Sequence, residues 1–162
     1  MRAEDAAIAI RPAAAGDAPA LAGVFTEAVH ALGAAHFDAR QLQAWAPRPP
    51  DVAGWAARLS APDLHVRVAL THTDEVAGFI AWSDDGHIDL LFTHPAQARR
   101  GVATALFREA ERSLAALGVR ALFTEASPIA RPVFERWGFV VQEEQRVLRH
   151  GVELWRYAMR RP

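Results

Sequence analysis

The chain has 162 residues, a formal net charge of −1 and no cysteine. That length suits one domain with a proper core, and a near-neutral charge gives no global field to draw in nucleic acid or an anionic membrane. Without cysteine there are no disulfides, no thiolate metal sites and no cysteine-linked acyl-enzyme intermediate.

Apolar residues make up 51% of the chain, as in a soluble globular protein. No apolar run approaches the roughly 18 residues of a membrane span. Met1 to Ile10 carries Glu4 and Asp5 and does not read as a signal peptide. The expected location is therefore the cytoplasm. All 18 basic residues are arginine, which a GC-rich coding sequence explains.

Ile8-Ala9-Ile10-Arg11 alternates as a short strand that Pro12 stops. Asp17 is the expected N-cap of a helix. Its apolar face is Leu21, Val24, Phe25, Ala28, Val29 and Leu32, and Gly33 ends it. Asp38 caps a second helix that runs to Trp45. Pro47, Pro49 and Pro50 break the chain, and Asp51 to Leu59 reads as a third helix. Strands follow at Leu64 to Leu70 and Val76 to Trp82. Asp84-Asp85-Gly86 is a hairpin turn signal, so His87 to Phe92 should return antiparallel.

A long amphipathic helix then carries Val102, Leu106, Ala110, Leu114 and Leu117 on one stripe, with Gly118 as its C-cap. Val119 to Thr124 is predicted as a strand parallel to the one before that helix. Pro128 to Trp137 reads as a short helix closed by Gly138. Phe139 to Leu148 and Val152 to Met159 form a last hairpin turning at His150-Gly151. Residues 8–162 thus predict a single α/β domain, with a mixed, mostly antiparallel sheet of six or seven strands flanked by helices. There is no repeat, low-complexity tract or linker.

Arg99, Arg100 and Gly101 fall at the N-terminus of the long helix. Free N–H groups and the positive end of the macrodipole favour an anion there, and Gly101 lets backbone approach it. A phosphate or pyrophosphate is the simplest ligand; a plain turn with two solvated arginines is the alternative. The Gly-Lys-Ser/Thr and Gly-x-Gly-x-x-Gly patterns are absent, so an ordinary nucleotide fold is disfavoured.

The stretch "LLFTHPAQARRGVATALFREAE" resembles the acyl-CoA-binding segment of the GCN5-related N-acetyltransferases, the GNAT superfamily. There a strand ends in Val/Thr-x-Pro and an Arg-Gly-x-Gly/Ala turn opens the long helix. "FTEASPIARPVFERWGF" is similar to the family's second signature, and the order and spacing of the two match. "IAIRPAAAGDAPALAGVF" and "LRHGVELWRYAMRR" resemble the family's start and finish.

The resemblance implies an acetyl-CoA-dependent N-acetyltransferase with a GNAT-like fold. Acyl transfer would run directly from the thioester to an amine, on a small molecule or a peptide, in a ternary complex. Backbone of Leu91, Phe92 and Thr93 would pair with the pantetheine arm like an added strand. Arg99, Arg100, Gly101, Val102, Ala103 and Thr104 would wrap the pyrophosphate. Backbone N–H near Leu91 would meet the thioester oxygen. Ala98 departs from the Gln or Arg often found there.

Ser127 stands at the family's asparagine position and Phe134 at its tyrosine position, both beside the cofactor. Phenylalanine cannot protonate a departing thiolate, so water, another residue or unassisted departure must serve. Tyr157, the lone tyrosine, is expected to be structural. The early helices would line the acceptor site, with His36 and Trp45 as substrate contacts near Phe37, Gln41 and Trp55.

Transfer needs a general base. Asp89 is the first candidate, a partly desolvated carboxylate of raised pKa sharing a face with His87 and Leu91, or else part of a solvated face. Glu125 is the second, and capping the next helix is its competing role. His87 is the third. The seven histidines show no metal spacing, so no metal is expected. A homodimer is left open. The missing tyrosine and the lack of a single clear base motivate one alternative, a non-catalytic CoA-binding sensor or interaction module.

Overall fold

The computed structural model describes residues 8–162; Met1 to Ala7, part of the stretch read as lacking a signal peptide, lie outside the described residues. The strands are β1 (Ala9–Pro12), β2 (His65–Leu70), β3 (Val76–Trp82), β4 (His87–Thr93), β5 (Leu122–Ala126), β6 (Val140–Arg149) and β7 (Val152–Arg161). They form one seven-stranded sheet in the order β1-β2-β3-β4-β5-β7-β6. The β4–β5 pair is parallel and the other neighbours are antiparallel. The helices are α1 (Ala18–Gly33), α2 (Ala39–Trp45), α3 (Val52–Leu59), α4 (Val102–Ala116) and α5 (Arg131–Arg136). Among the described residues no helix is long and apolar enough to cross a membrane.

Two layers cover the sheet. Leu106, Ala110 and Leu114 of α4 pack with Ile80, Ile88, Leu122 and Met159 on one face. Leu21 and Val24 of α1 and Trp55 of α3 pack with Val68 and Phe79 on the other. A third cluster, Val29, Phe37, Leu42 and Leu154, ties α1 and α2 to the C-terminal hairpin. That hairpin turns where expected, with His150 and Gly151 at φ 50° and 74°, the twist a tight hairpin turn needs.

The caps explain where the elements differ from expectation. At the end of α4, Gly118 N–H donates to Ala115 O and Val119 N–H to Leu114 O, with Gly118 at φ 80°. This double closure brings the residue after the glycine back onto the helix, so Val119 packs against the core and Leu117 is left 62% exposed. Val119 is spent on the cap, so β5 begins at Leu122 and runs on to Ala126. Leu32 is also exposed, at the open end of α1. At α5, Ser127 to Ala130 form a turn held by Ala130 N–H donating to Ser127 Oγ (3.2 Å), so the helix itself is only Arg131–Arg136.

Asp38 caps α2 as expected, accepting from Gln41 N, and Asp51, read as the first residue of α3, instead caps it by accepting from Gly54 N. Asp17 does not cap α1. Its carboxylate instead accepts the Ala14 N–H (2.7 Å) and both terminal nitrogens of Arg11 (2.8 and 2.9 Å). This clamp fixes the end of β1 to the start of α1. The Arg11 bond holds the Asp17 carboxyl below its ordinary value of 3.8, against the opposing effect of burial. A lowered folded pKa stabilises above the unfolded value and fades as pH falls through the folded one. Asp17→Asn should therefore lower stability near neutral pH by about 1 kcal/mol, since Arg11 is partly solvated. Melting curves of the two proteins should converge below roughly pH 4; a gap that persists unchanged in acid would refute the clamp.

Candidate active site

The parallel pairing of β4 with β5 covers only His87↔Phe123 and Ile88↔Thr124. Thr124 Oγ1 donates to Ile88 O (2.8 Å) at the last rung. Beyond it β5 pairs with β7 alone and β4 with β3 alone. The register jumps from Trp82↔Ile88 to Ala81↔Leu90, so Asp89 is the extra residue of a β-bulge. A bulge bends its strand and increases the local twist, which turns β4 away from β5. It also resets the alternation: Ile88 and Leu91 pack on the α4 face, Leu90 and Phe92 on the α1 face.

The backbone of the opened edge follows from the ladder. His94 N–H donates to Ala77 O (2.8 Å), so in antiparallel alternation Phe92 and Leu90 also bond towards β3. Leu91 and Thr93 direct their N–H and C=O groups into the split. The expectation of three pairing residues is corrected here, because the Phe92 backbone belongs to β3. Its side chain still borders the split.

A cavity of about 330 Å³ opens at the split, between the C-terminal half of α1, the start of α4 and α5. Leu91 to Thr93, the first turn of α4 and the exposed face of α5 line it, with Leu32 of α1 at its rim. Gly101 precedes α4 at φ 81°, and no side chain caps the helix, so its first N–H groups remain open to a ligand. A Cβ on Gly101 would touch nothing; the left-handed φ is what requires glycine. Gly101, Val102, Ala103, Thr104 and Arg99 all line this cavity, and Arg99 is at φ 62°. Arg100 is exposed and outside the lining, because the turn at Arg99 swings it away. Arg136 of α5 takes part instead. Among the described residues no carboxylate lines the cavity.

A second cavity, of about 400 Å³, is lined by α2, α3, the facing parts of β4 and β5, and the C-terminal hairpin. Asp89 and Glu125 line it. Asp89 is exposed rather than partly desolvated, since the bulge lifts it out of the pleat. Glu125 does not cap α5. It lies within β5, and His87 Nε2–H donates to its Oε1 (3.0 Å), both side chains being largely covered. His87 also stacks on Phe123, with ring centroids 4.8 Å apart. Trp45 lines the cavity, as do Phe37 and Trp55. His36 does not: it is exposed in the turn after α1, thrown outward by the burial of Phe37 next to it.

The C-terminal hairpin supplies Trp155 and Arg156, which sequence reasoning missed. Their only signal was an aromatic–basic pair in a strand, which many surfaces carry.

Leu91, Phe92, Ser127, Ala130 and Phe134 line both cavities, so the two meet at the split. Phe134 is 3% exposed and packs edge-on against Phe139 and Trp137. Tyr157 lies outside both cavities, under the Arg131 guanidinium (4.6 Å). Among the described residues no group of His, Asp or Glu is arranged to hold a metal ion.

Residues 34–161 match the family model described as Acetyltransferase (GNAT) domain. The chain belongs to the GNAT family. It is an acyl-CoA-dependent acetyltransferase by that membership. It is 35% identical over 153 residues to the Escherichia coli K12 N-acetyltransferase YafP, described as uncharacterized, covering 94% of this chain and 95% of that protein. The crystal structure of a GCN5-related N-acetyltransferase from Rhodopseudomonas palustris is 31% identical, with 96% of each chain covered and a TM-score of 0.88. The PaiA N-acetyltransferase of Thermoplasma acidophilum, solved with coenzyme A, shares the fold at 16% identity and a TM-score of 0.77, over 96% of this chain and 99% of that one.

Gly78 is a position whose weight the sequence hides. A Cβ there would lie 2.8 Å from Phe92 O and 3.0 Å from Val102 Cγ1, so its absence lets α4 begin tight against β3 and β4. Gly78→Ala should cost about 1–3 kcal/mol of overpacking. A urea midpoint equal to wild type would show that this contact is slack.

Proposed function

We propose that the enzyme transfers the acetyl group of acetyl-CoA directly to the amine of a bound acceptor, in a ternary complex. One observation carries the reading: two cavities of opposite character meet where a thioester on β4 would face an amine beside Glu125. The donor cavity has Arg99, Arg136, an uncapped helix N-terminus and, among the described residues, no carboxylate, which suits a pyrophosphate. The pantetheine arm would pair with Leu91 and Thr93 as an added strand. Leu91 N–H would hold the thioester oxygen as charge develops on it.

The acceptor ammonium sheds one proton to solvent before attack; Glu125 takes the second, directly or through one water, as the C–N bond forms, and His87 fixes its carboxylate in place. Asp89 at the cavity mouth draws the ammonium in. Ser127 holds the turn before α5, and Phe134 walls the thioester from solvent without supplying a proton. The second reading, a CoA-binding sensor, is favoured by the missing tyrosine alone. A thiol with a pKa of about 8.5 leaves readily as its thiolate, so that observation weighs little.

Isothermal titration with acetyl-CoA tests the reading first. Saturable binding is expected, and silence at millimolar ligand would end it. Gly101→Ala should weaken this binding several-fold, through strain at a positive φ of order 1 kcal/mol. Glu125→Gln should lower kcat for thiol release roughly 100- to 10,000-fold, the usual worth of a general base, while acetyl-CoA still binds. Turnover that survives Glu125→Gln would move the base to Asp89, and a matching loss in Asp89→Asn would establish it there.

A further inference from the structure

We infer that the acceptor is a small amino acid with an apolar or aromatic side chain, whose carboxylate is held by Arg156. The inference rests on the acetyltransferase reading of the same cavity. Glu125 is the register partner of Ala158, and Arg156 lies two residues further along β7. Strand alternation puts Arg156 on the same face as Glu125, roughly 7 Å along the strand. Both line the acceptor cavity. An ammonium and a carboxylate joined through one carbon span such a gap, the ammonium beside Glu125 and the carboxylate on the guanidinium.

Arg156 is built for this contact. Its Nε–H donates to Gln145 Oε1 on β6 (2.8 Å), and it is partly buried. Among the described residues it enters no ion pair, whereas nearby Arg146 meets both Glu144 and Glu153. A guanidinium pinned through Nε leaves its terminal nitrogens as a planar fork for a carboxylate. The other arginines of the cavity stand elsewhere. Arg58 lies over Trp55 at 5.1 Å, and Arg149 is exposed at the hairpin tip.

The remaining wall sets the side chain. Trp155 contacts Phe37 (4.4 Å), Phe37 contacts Trp45 (5.7 Å), Trp45 contacts Phe25 (6.3 Å), and Phe25 contacts Trp55 (5.2 Å) and Phe92 (5.0 Å). These rings, drawn from both sides of the split, give an apolar body a continuous surface to lie on. About 400 Å³ is near the lower end of ligand pockets, roughly 300–1,000 Å³, and suits a free amino acid.

Free-thiol release at saturating acetyl-CoA, with matched acceptors, tests the inference. Phenylalanine is compared with phenethylamine and phenylalaninamide, and leucine with isoamylamine. The free acids should be favoured in kcat/KM by about 10- to 100-fold, the worth of a charge-assisted pair, and the difference should lie in KM. Arg156→Ala should collapse that preference, Arg156→Lys should restore part of it, and Gln145→Ala should reduce it. Calorimetry with acetyl-CoA verifies that each variant is folded.

Equal use of phenethylamine overturns the inference, and so does an Arg156→Ala that slows every acceptor alike. Equal use of phenylalaninamide overturns it in favour of a peptide amine. If acetyl-CoA binds and none of these amines turns over, the inference is overturned while the donor site stands. If acetyl-CoA itself does not bind, the acetyltransferase reading falls with it.

Discussion

The parallel contact between β4 and β5 lasts two residue pairs, and the molecule's chemistry depends on its ending there. An unbroken sheet would satisfy the Leu91 and Thr93 backbone internally and leave no gap between the layers. Two features end the contact. The bulge at Asp89 bends β4 away, and β5 turns its remaining rungs to β7. Thr124, by bonding the Ile88 carbonyl with its hydroxyl, satisfies that carbonyl just short of the bulge. The polar edge that remains would be a liability on any other strand. Here it lines a groove of a size and shape for an extended ligand.

Charge then divides the two sides of that gap. Among the described residues the charged groups of the donor cavity are guanidiniums alone, beside open helix N–H groups, so a pyrophosphate would enter without facing a carboxylate. The acceptor cavity carries Asp51, Asp89 and Glu125 together with Arg58, Arg149 and Arg156, a mixture that suits a ligand with charges of both signs. Between them the shared lining of Leu91, Phe92, Ala130 and Phe134 is apolar, and the hydroxyl of Ser127, the fifth shared residue, accepts the Ala130 N–H. Hydrogen bonds and charges act most strongly where water is scarce, so a single N–H of Leu91 and a single carboxylate of Glu125 gain effect from this wall.

Much of this was legible in the chain. β3, the cap of α2, the extent of α4 and the glycine before it are local signals, and local signals resolve within a turn of their origin. What stayed hidden depends on pairing across distance. Ile88-Asp89-Leu90 alternates as a regular strand does, and the Leu90-Leu91-Phe92 run that follows is equally what a strand buried on both faces would show. The His87–Glu125 pair exists through the parallel register, which no short-range pattern encodes. The start of β5 was misplaced because Val119 was read as strand when the helix cap had claimed it. His36 falls where the family's early helices line the acceptor site, though burial of Phe37 turns it outward. Arg156 was passed over because its weight comes from Gln145 on a neighbouring strand.

Phe134 follows from the same chemistry once the leaving groups are compared. The tetrahedral adduct can expel a thiolate, whose conjugate acid has a pKa of about 8.5, or the amine it has just gained. An amine that keeps its extra proton is the better leaving group and reverses the reaction. An amine stripped of it cannot leave, and the thiolate departs unaided. The outcome thus turns on removing a proton from nitrogen, with little resting on delivering one to sulfur. A buried phenyl ring at position 134 therefore removes nothing essential and keeps the junction dry. The demand falls on the opposite side of the split, where Glu125 is held by His87 and where Arg156 would fix the acceptor nitrogen against it.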